Sequence, residues 1–281
     1  MWLAQLASAA ALLGEPPDDW VCPMDPDVHA AKAGVCPRCG MKLVLHVPDR
    51  VEYPIEVKSS PVEVKSSPAA LRPGEAATLI LRVLDPDSNR SVRHFEIVHE
   101  KLMHFFVVSE NLEYFLHDHP APQDDGSFRL NVKLPYGGMY RILADFYPAG
   151  SVPQLAVGTV FVEGASEAAR LSPSLAPARS ANLTAALRLE PEQPLAGLET
   201  KLFFTLDPSD GLEKYLGAWG HMLAASADLI DLLHLHPFLI TGSVIQFNVI
   251  FPRAGLYRVW TQFQRKGMVN TVAFTIPVKS L

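Results

Sequence analysis

Short apolar runs, many alternating with polar residues, recur from residue 77 to the end of the chain. Their shortness, their period of two and the Asp-Pro, Asp-Gly and Gly-Gly turns between them predict β-strands. The predicted strands of the first half are 77–84, 102–108, 128–134, 139–146 and 157–162, and those of the second half are 200–206, 218–225, 244–251, 256–263 and 271–278. This pattern predicts an all-β protein built from antiparallel β-sandwiches.

The two halves repeat each other at a constant spacing of 117 residues. The identical pairs include His104/His221, Ser109/Ser226, Leu112/Leu229, His117/His234, His119/His236, Pro120/Pro237, Pro135/Pro252, Gly138/Gly255, Tyr140/Tyr257, Arg141/Arg258 and Phe146/Phe263. Matches without a gap between residues 104–146 and residues 221–263 indicate a duplicated domain. We therefore expect two tandem β-sandwiches, immunoglobulin-like or cupredoxin-like, at 52–164 and 182–281, and one helical turn in each at 109–115 and 226–232. The Ala, Ser and Pro content of residues 165–181 predicts a semi-stiff linker.

The composition of the chain limits its class of fold and its partners further. A chain of 281 residues with 48% hydrophobic and 19% charged residues can bury sizeable cores. The net charge of -6, without a run of Lys or Arg, argues against nucleic acid as a partner. Residues 1–17 form an apolar Leu/Ala segment that resembles a secretory signal or a short tether, although it lacks a basic start. We therefore expect an exported protein, periplasmic or at the cell surface, with no membrane span in the mature chain.

All three cysteines lie in a small segment, residues 18–48, that precedes the repeats. The run Cys-Pro-Arg-Cys-Gly-Met at 36–41 places two thiolates on one tight turn, and Cys22 adds a third. Three thiolates form most of a tetrahedral shell for copper or zinc. The fourth ligand stays open, because a Met thioether would favour Cu(I), whereas Asp or His would favour Zn(II). The candidates for it are Asp25, His29, His46, Met24 and Met41. A Cys36–Cys39 disulfide with Cys22 unused is the alternative.

The pattern Cys-Pro-Met-Asp-Pro at 22–26, followed by Cys-Pro-Arg-Cys-Gly-Met-Lys-Leu at 36–43, resembles a known heavy-metal-binding domain. That domain occurs at the ends of bacterial metal-export ATPases and of copper/silver efflux adaptor proteins. The resemblance covers about residues 20–45 and implies metal capture, resistance or efflux, with an efflux or envelope protein as the partner. The chain departs from the family at Asp25, where a histidine is usual. Asp25 or His29 would have to replace that histidine.

The repeated histidines form a second candidate site. In Leu-His-Asp-His-Pro at 116–120, strand alternation puts both imidazoles on one side of an extended segment. A histidine from an earlier strand adds a third ligand, and each repeat carries such a trio, an arrangement that suits copper or zinc. Hydrogen bonding within a loop is the structural alternative. The full set of candidate metal ligands is Cys22, Cys36, Cys39, His104, His117, His119, His221, His234 and His236. His94, His99 and Met103 lack a ligand counterpart in the second repeat and are not expected to be essential.

The pattern Leu-Met-His at 102–104, followed by Val-Ser-x-x-Leu-x-x-Phe-x-His-x-His-Pro at 108–120, resembles domains described as cupredoxin-like beside bacterial copper-handling proteins. Enzymatic functions fit less well. His99 and His104 flank a segment similar to the zinc-protease motif, but their spacing puts them on different faces of a helix. A blue-copper or multicopper centre needs a cysteine, and none follows Cys39. We expect a non-catalytic metal-binding protein. The competing hypothesis is a structural or protein-interaction module that holds zinc only for folding.

Overall fold

The computed structural model of the chain describes residues 20–25, 27–45, 53, 55–61, 70–166 and 168–281. Every regular element in these residues is a β-strand, and none of them forms a helix able to cross a membrane. The apolar segment at 1–17 and the candidate ligand His46 lie outside the described residues.

The strands fall into three groups along the chain. The N-terminal module contributes β1 (Trp20–Val21) and β2 (His29–Ala30). The first repeat contains β3 (Ile55–Pro61), β4 (Ala76–Val83), β5 (Phe95–Glu96), β6 (Met103–Ser109), β7 (Phe115–Asp118), β8 (Ala121–Pro122), β9 (Ser127–Lys133), β10 (Gly138–Pro148) and β11 (Gln154–Val162). The second repeat contains β12 (Ala178–Arg179), β13 (Thr184–Glu190), β14 (Glu199–Asp207), β15 (Leu212–Glu213), β16 (His221–Ser226), β17 (Leu232–Leu235), β18 (Leu239–Thr241), β19 (Val244–Ile250), β20 (Gly255–Arg265) and β21 (Met268–Val278).

Each repeat is a sandwich of two antiparallel sheets with the same strand order. One sheet runs β3-β4-β9-β8 in the first repeat and β13-β14-β19-β18 in the second, where β12 extends its edge. The other sheet runs β11-β10-β6-β7 and β21-β20-β16-β17, with β5 or β15 added to the long strand β10 or β20. The prediction of two tandem antiparallel β-sandwiches after a small module is confirmed.

The first sandwich has a core built by strand alternation. In β4, buried residues alternate with more exposed ones, so that Leu79, Leu81 and Val83 all point inward. They meet Phe128 and Tyr140 from strands of the same repeat. The second repeat has a corresponding core of its own.

The two sandwiches pack against each other through the sheets that contain β6 and β16. All residues of both strands are buried, because one face of each strand covers its own core and the other face meets the other repeat. Phe106 and Trp260 belong to the apolar cluster between the repeats, and Phe115 stacks on Trp260 with ring centres 5.1 Å apart. The linker adds Leu171 to this cluster and lies on the second repeat, where Ser174 pairs with a strand residue.

The segments after β6 and β16 are turns and not the helical turns expected from the sequence. Leu112 and Leu229 have φ values of 59° and 56°, which a right-handed helix does not allow. The Ser109 hydroxyl accepts the N–H of Tyr114 at 2.9 Å and so closes the first turn. Serine therefore stabilises a five-residue loop in place of a helix N-terminus.

Tyr140 is the basis of a stability prediction. Its buried hydroxyl donates to the carbonyl oxygen of Tyr136 at 2.9 Å and accepts the N–H of the same residue at 2.8 Å. We expect Tyr140→Phe to lower the free energy of unfolding by about 1–3 kcal/mol, because it leaves both backbone groups without this partner. Urea denaturation followed by circular dichroism measures the loss. Tyr257→Phe removes the equivalent contacts with Arg253 and also the bond that the Tyr257 hydroxyl donates to Oδ2 of Asp231 at 2.8 Å, so its loss should be at least as large. A change below about 0.5 kcal/mol in either variant would contradict the assignment.

Candidate metal centres

The N-terminal module holds its cysteines on short backbone segments that we call the knuckle, residues 20–45. The Cys36–Cys39 turn is closed by the N–H of Gly40, which donates to the carbonyl oxygen of Cys36 at 2.9 Å. Gly40 has a φ of 77°, the left-handed conformation that favours glycine. Cys22 follows β1, and its sulfur accepts the N–H of Asp25 at 3.2 Å.

The three sulfurs and one carboxylate converge in the knuckle. Ligand atoms of Cys22, Asp25, Cys36 and Cys39 all lie within 4.8 Å of one another. The sulfurs of Cys22 and Cys39 are 3.4 Å apart, and the sulfur of Cys36 is 3.4 Å from Oδ2 of Asp25. All three cysteines are free thiols, so the alternative Cys36–Cys39 disulfide is absent from the structure. The arrangement provides three sulfur donors and one oxygen donor.

Of the Asp and His candidates for the fourth ligand that the structure describes, Asp25 is the one whose ligand atom lies among the sulfurs. The thioether candidates Met24 and Met41 pack beside Cys39. Arg38 holds the other oxygen of Asp25, Oδ1, at 3.2 Å and leaves Oδ2 facing the cysteines. The same guanidinium pairs with Asp27 at 2.7 Å and lies over the ring of Phe238 in the second repeat. His29 is exposed on β2, outside the group of converging ligand atoms.

The three thiols differ in pKa because their surroundings differ. The thiol of Cys39 donates to Cys22, and together with nearby backbone N–H groups this lowers the pKa of Cys22 to about 6. Burial raises the pKa of Cys36, and the pKa of Cys39 is raised chiefly because its proton is held by Cys22. The thiol of Cys22 is therefore the most acidic of the three, and a metal ion must displace the protons that the thiols hold.

The six predicted histidines lie in one cluster between the repeats and not in two separate sites. His104 (β6) and His117 (β7) have ring nitrogens 3.1 Å apart. The cluster joins both trios because the two sheets pack together, so that His104, His117 and His221 have ligand nitrogens within 4.8 Å of one another. His221, His234 and His236 form a second such group. His119 reaches His104 at 3.2 Å, and His236 reaches His221 at 3.1 Å.

Two of the hydrogen bonds that orient the imidazoles cross from one repeat to the other. Nδ1 of His117 lies 2.7 Å from Oε1 of Gln262 in the second repeat. Nδ1 of His234 lies 2.7 Å from Oδ2 of Asp145 in the first repeat. Gln262 and Asp145 occupy equivalent positions, so the two contacts are reciprocal, as in a symmetric interface.

The other two orienting bonds stay within a repeat. Nε2 of His104 lies 3.0 Å from the carbonyl oxygen of Val98, and Nε2 of His221 lies 2.9 Å from that of Tyr215. Val98 and Tyr215 are again equivalent in the two repeats. Each trio therefore contains two rings whose outer nitrogen is fixed by an oxygen acceptor.

Burial keeps the clustered imidazoles neutral. It lowers the pKa of His104 to about 3 and that of His117 to about 2, because the charged form loses its hydration. Burial also raises the pKa of Asp145 to about 6, so the carboxyl group is ionised at neutral pH and accepts the proton on His234 Nδ1. Neutral imidazoles have the lone pairs that metal ions bind.

His99 joins this cluster although the sequence assigned it no role. It lies with Glu100 in a two-residue turn where both have positive φ, 44° and 66°, a conformation that costs a non-glycine residue about 1–2 kcal/mol. Its ring packs on His236 at 3.8 Å between ring centres. Both of its ring nitrogens are buried without a hydrogen-bond partner among the described residues.

Asp145 and Gln262 also belong to the site, although the sequence did not lead us to predict them as site residues. The available signal was a strongly polar residue at the same position of two mostly apolar segments, Ile-Leu-Ala-Asp-Phe at 142–146 and Val-Trp-Thr-Gln-Phe at 259–263. A polar side chain at a buried position of both copies needs a partner there.

The knuckle lies beside the histidine cluster. A cavity of 550 Å³ is lined by Asp25 and Cys39 on the knuckle side and by His234, His236 and Asp145 on the side of the repeats. A second cavity is lined by residues of the Cys36–Met41 turn together with His99. The two candidate centres are therefore neighbours, and residues of both line the same cavity.

Comparison with known proteins defines the class of the module. Residues 20–47 match the family described as heavy metal binding domain. The prediction of such a domain is confirmed, and the converging cysteines supply a site for the ion.

The repeats define the family of the chain. Residues 56–163 and 180–280 each match the family described as domain of unknown function (DUF8832), and the chain belongs to it. Two copies of one family confirm the internal duplication. No curated protein shows significant similarity to the chain.

Similar solved structures share only broad features with this chain. They include an α2-macroglobulin mutant from Salmonella (15% identity, TM-score 0.24, 83% of this chain and 15% of that one). A Ca²⁺-stabilised ice-binding adhesin of an Antarctic bacterium has 8% identity and a TM-score of 0.27, over 83% of this chain and 50% of that one. Fibronectin(III)-like modules of Clostridium thermocellum CbhA have 12% identity and a TM-score of 0.22, over 79% and 95%. Similarity this low carries no information on ligands.

Proposed function

We propose that this protein is an exported, non-catalytic heavy-metal-binding protein that captures Cu(I) on the knuckle for resistance or efflux. The observation that carries the proposal is the convergence of Cys22, Cys36 and Cys39 in a segment that matches the heavy metal binding domain. Thiolates favour soft ions such as Cu(I), which three sulfurs can bind without a fourth ligand. The apolar segment at 1–17 supports export, and the resemblance of the repeats to cupredoxin-like domains supports a copper context.

The knuckle is well placed to exchange its ion with a partner. Cys39 lines the 550 Å³ cavity and is only partly buried. A soft ion held there can be reached by the donor atoms of an efflux or envelope protein. The β-sandwiches fix the knuckle through Met41, which packs with Val98 and Tyr147 of the first repeat.

A second candidate function is a structural zinc knuckle on a protein-interaction module, and Asp25 favours it. Its Oδ2 atom completes a four-ligand group with the sulfurs, and Zn²⁺ in structural sites takes four tetrahedral ligands, most often sulfur and nitrogen. In this alternative the ion only stabilises the fold, and the sandwiches contact the partner.

Asp25→Asn separates the two functions. If Cu(I) is bound by three sulfurs, its affinity should change by less than about threefold, whereas Zn²⁺ should bind at least about 10-fold more weakly because it loses an anionic ligand. Competition titrations with chromophoric chelators for each ion measure both. Asp27→Asn is the matched control, since Asp27 also pairs with Arg38 but lies outside the sulfur group. Tight, non-exchangeable zinc in the purified chain and weak Cu(I) binding would favour the structural alternative.

A further inference from the structure

Four imidazoles between the repeats have one nitrogen fixed as a hydrogen-bond donor. Carbonyl oxygens accept only, so Nε2 of His104 and Nε2 of His221 carry the protons in their bonds to Val98 and Tyr215. A neutral imidazole has one N–H, and the other nitrogen then carries a lone pair. His104 and His221 therefore present Nδ1 lone pairs to the cluster.

The same logic applies to His117 and His234. Gln262 uses its amide nitrogen to donate to Thr271 at 3.1 Å, which leaves its Oε1 to accept the Nδ1 proton of His117. The Asp145 carboxylate accepts the Nδ1 proton of His234. Both rings therefore present a lone pair on Nε2. Together with the Nδ1 lone pairs of His104 and His221, each repeat contributes two lone pairs to the cluster.

Two of these lone pairs lack a donor, those on Nε2 of His117 and of His234. Nδ1 of His104 and Nδ1 of His221 each lie within hydrogen-bond distance of Nε2 of a further histidine, His119 at 3.2 Å and His236 at 3.1 Å. Nε2 of His117 lies 3.1 Å from Nδ1 of His104, so two acceptors face each other without a proton between them. Nε2 of His234 is buried without a hydrogen-bond partner among the described residues, and its side chain is 1% exposed. Two acceptors in contact repel, and a buried unpaired nitrogen is costly. A cation at this point would satisfy both.

The four rings are arranged like the ligands of a tetrahedral ion. Their six centre-to-centre distances all fall between 5.3 and 6.1 Å. Metal–nitrogen bonds of about 2.0 Å place the ring centres of a tetrahedral histidine site about 5 Å apart. Nitrogens of His104, His117 and His221 already lie within 4.8 Å of one another, and a nitrogen of His234 lies within that distance of His221. Binding by all four therefore requires the ring of His234 to move inward towards the other three.

We propose that His104, His117, His221 and His234 form one composite metal centre, to which each repeat contributes two ligands. It takes a divalent borderline ion such as Zn²⁺, because four imidazoles in tetrahedral geometry suit that class and the Asp145 carboxylate orients one ligand and offsets part of the charge. Asp145 and Gln262 act as positioning residues. His119 and His236, which contact His104 and His221, flank the centre. The centre does not depend on metal binding by the knuckle.

The test uses the full chain with Cys22, Cys36 and Cys39 all changed to Ser, which removes the knuckle as a ligand. Co²⁺, whose visible absorption reports tetrahedral coordination, is the probe, followed by displacement with Zn²⁺. We expect one ion per chain with a tetrahedral spectrum. His117→Gln and His234→Gln should each weaken this single ion by at least about 100-fold, and Asp145→Asn by about 10–100-fold. His94→Gln, an exposed histidine outside the cluster, is the matched control.

Each other outcome overturns the proposal. If the chain binds two ions and each histidine variant loses only one of them, the histidine trios of the two repeats are separate sites. Absence of a tetrahedral Co²⁺ spectrum in the knuckle-free chain would show that the imidazoles are structural, and this result needs no histidine variant. Equal weakening by His94→Gln would indicate surface binding. Circular dichroism of each metal-free variant verifies that it is folded. If a histidine variant does not fold, the affinity of the Asp145→Asn variant is used in its place.

Discussion

Changing Cys39 to Ser is expected to abolish tight heavy-metal binding by the knuckle. Cys39 contributes one of three sulfurs and contacts the sulfur of Cys22 at 3.4 Å. Its loss leaves two sulfurs and removes the thiol whose donation lowers the pKa of Cys22. We expect Cu(I) affinity to fall by at least about 100-fold, because changes that merely disturb the orientation of a ligand already cost 10–100-fold. Competition with a chromophoric Cu(I) chelator measures it.

The repeats should remain folded in this variant, because no residue of the knuckle belongs to either sandwich core. Far-ultraviolet circular dichroism and thermal melting verify that. Lys32→Ala, at an exposed position of the knuckle, is the control and should bind like the unmodified chain. Full Cu(I) affinity in a Cys36→Ser/Cys39→Ser double variant would contradict the assignment of the site.

Trp260→Ala is expected to produce the largest loss of stability. The side chain is 4% exposed and lies in the apolar cluster that joins the repeats, where it stacks on Phe115 with an angle of 9° between the rings. Removal of a buried tryptophan leaves a cavity and costs about 3–5 kcal/mol. Guanidinium unfolding followed by circular dichroism should show that loss. A loss below about 1 kcal/mol would mean that the interface contributes little.

Phe161→Ala provides the control for this experiment. Phe161 is also a large ring on a strand, but it is 70% exposed. Its removal should change the free energy of unfolding by less than about 0.5 kcal/mol. A similar loss in both variants would show that ring size, and not the interface, determines the effect.

The fold could be predicted because its signals are local. Strands such as β4 expose alternate residues, and turn residues separate them, so their positions follow from the sequence. The predicted helical turn at 109–115 was wrong because Leu112 adopts a positive φ that the serine signal does not reveal. Strand β6 is mostly apolar on both of its faces, apart from His104 and Ser109, and this indicates a second packing partner but not its identity.

The two candidate centres differ in how far the sequence could define them. The knuckle ligands are close in the chain, so spacing alone indicated three of them. The histidine trios were expected to be separate, because the sequence does not contain the packing of one repeat on the other. Asp145 and Gln262 reach histidines of the opposite repeat, and only the tertiary structure shows these contacts.

X-ray absorption at the copper edge tests the central claim most directly. The full chain is loaded with one equivalent of Cu(I), and the sulfur neighbours of the ion are counted. The account predicts three sulfur neighbours at about 2.3 Å, supplied by Cys22, Cys36 and Cys39. A first shell of nitrogen and oxygen without sulfur would contradict it.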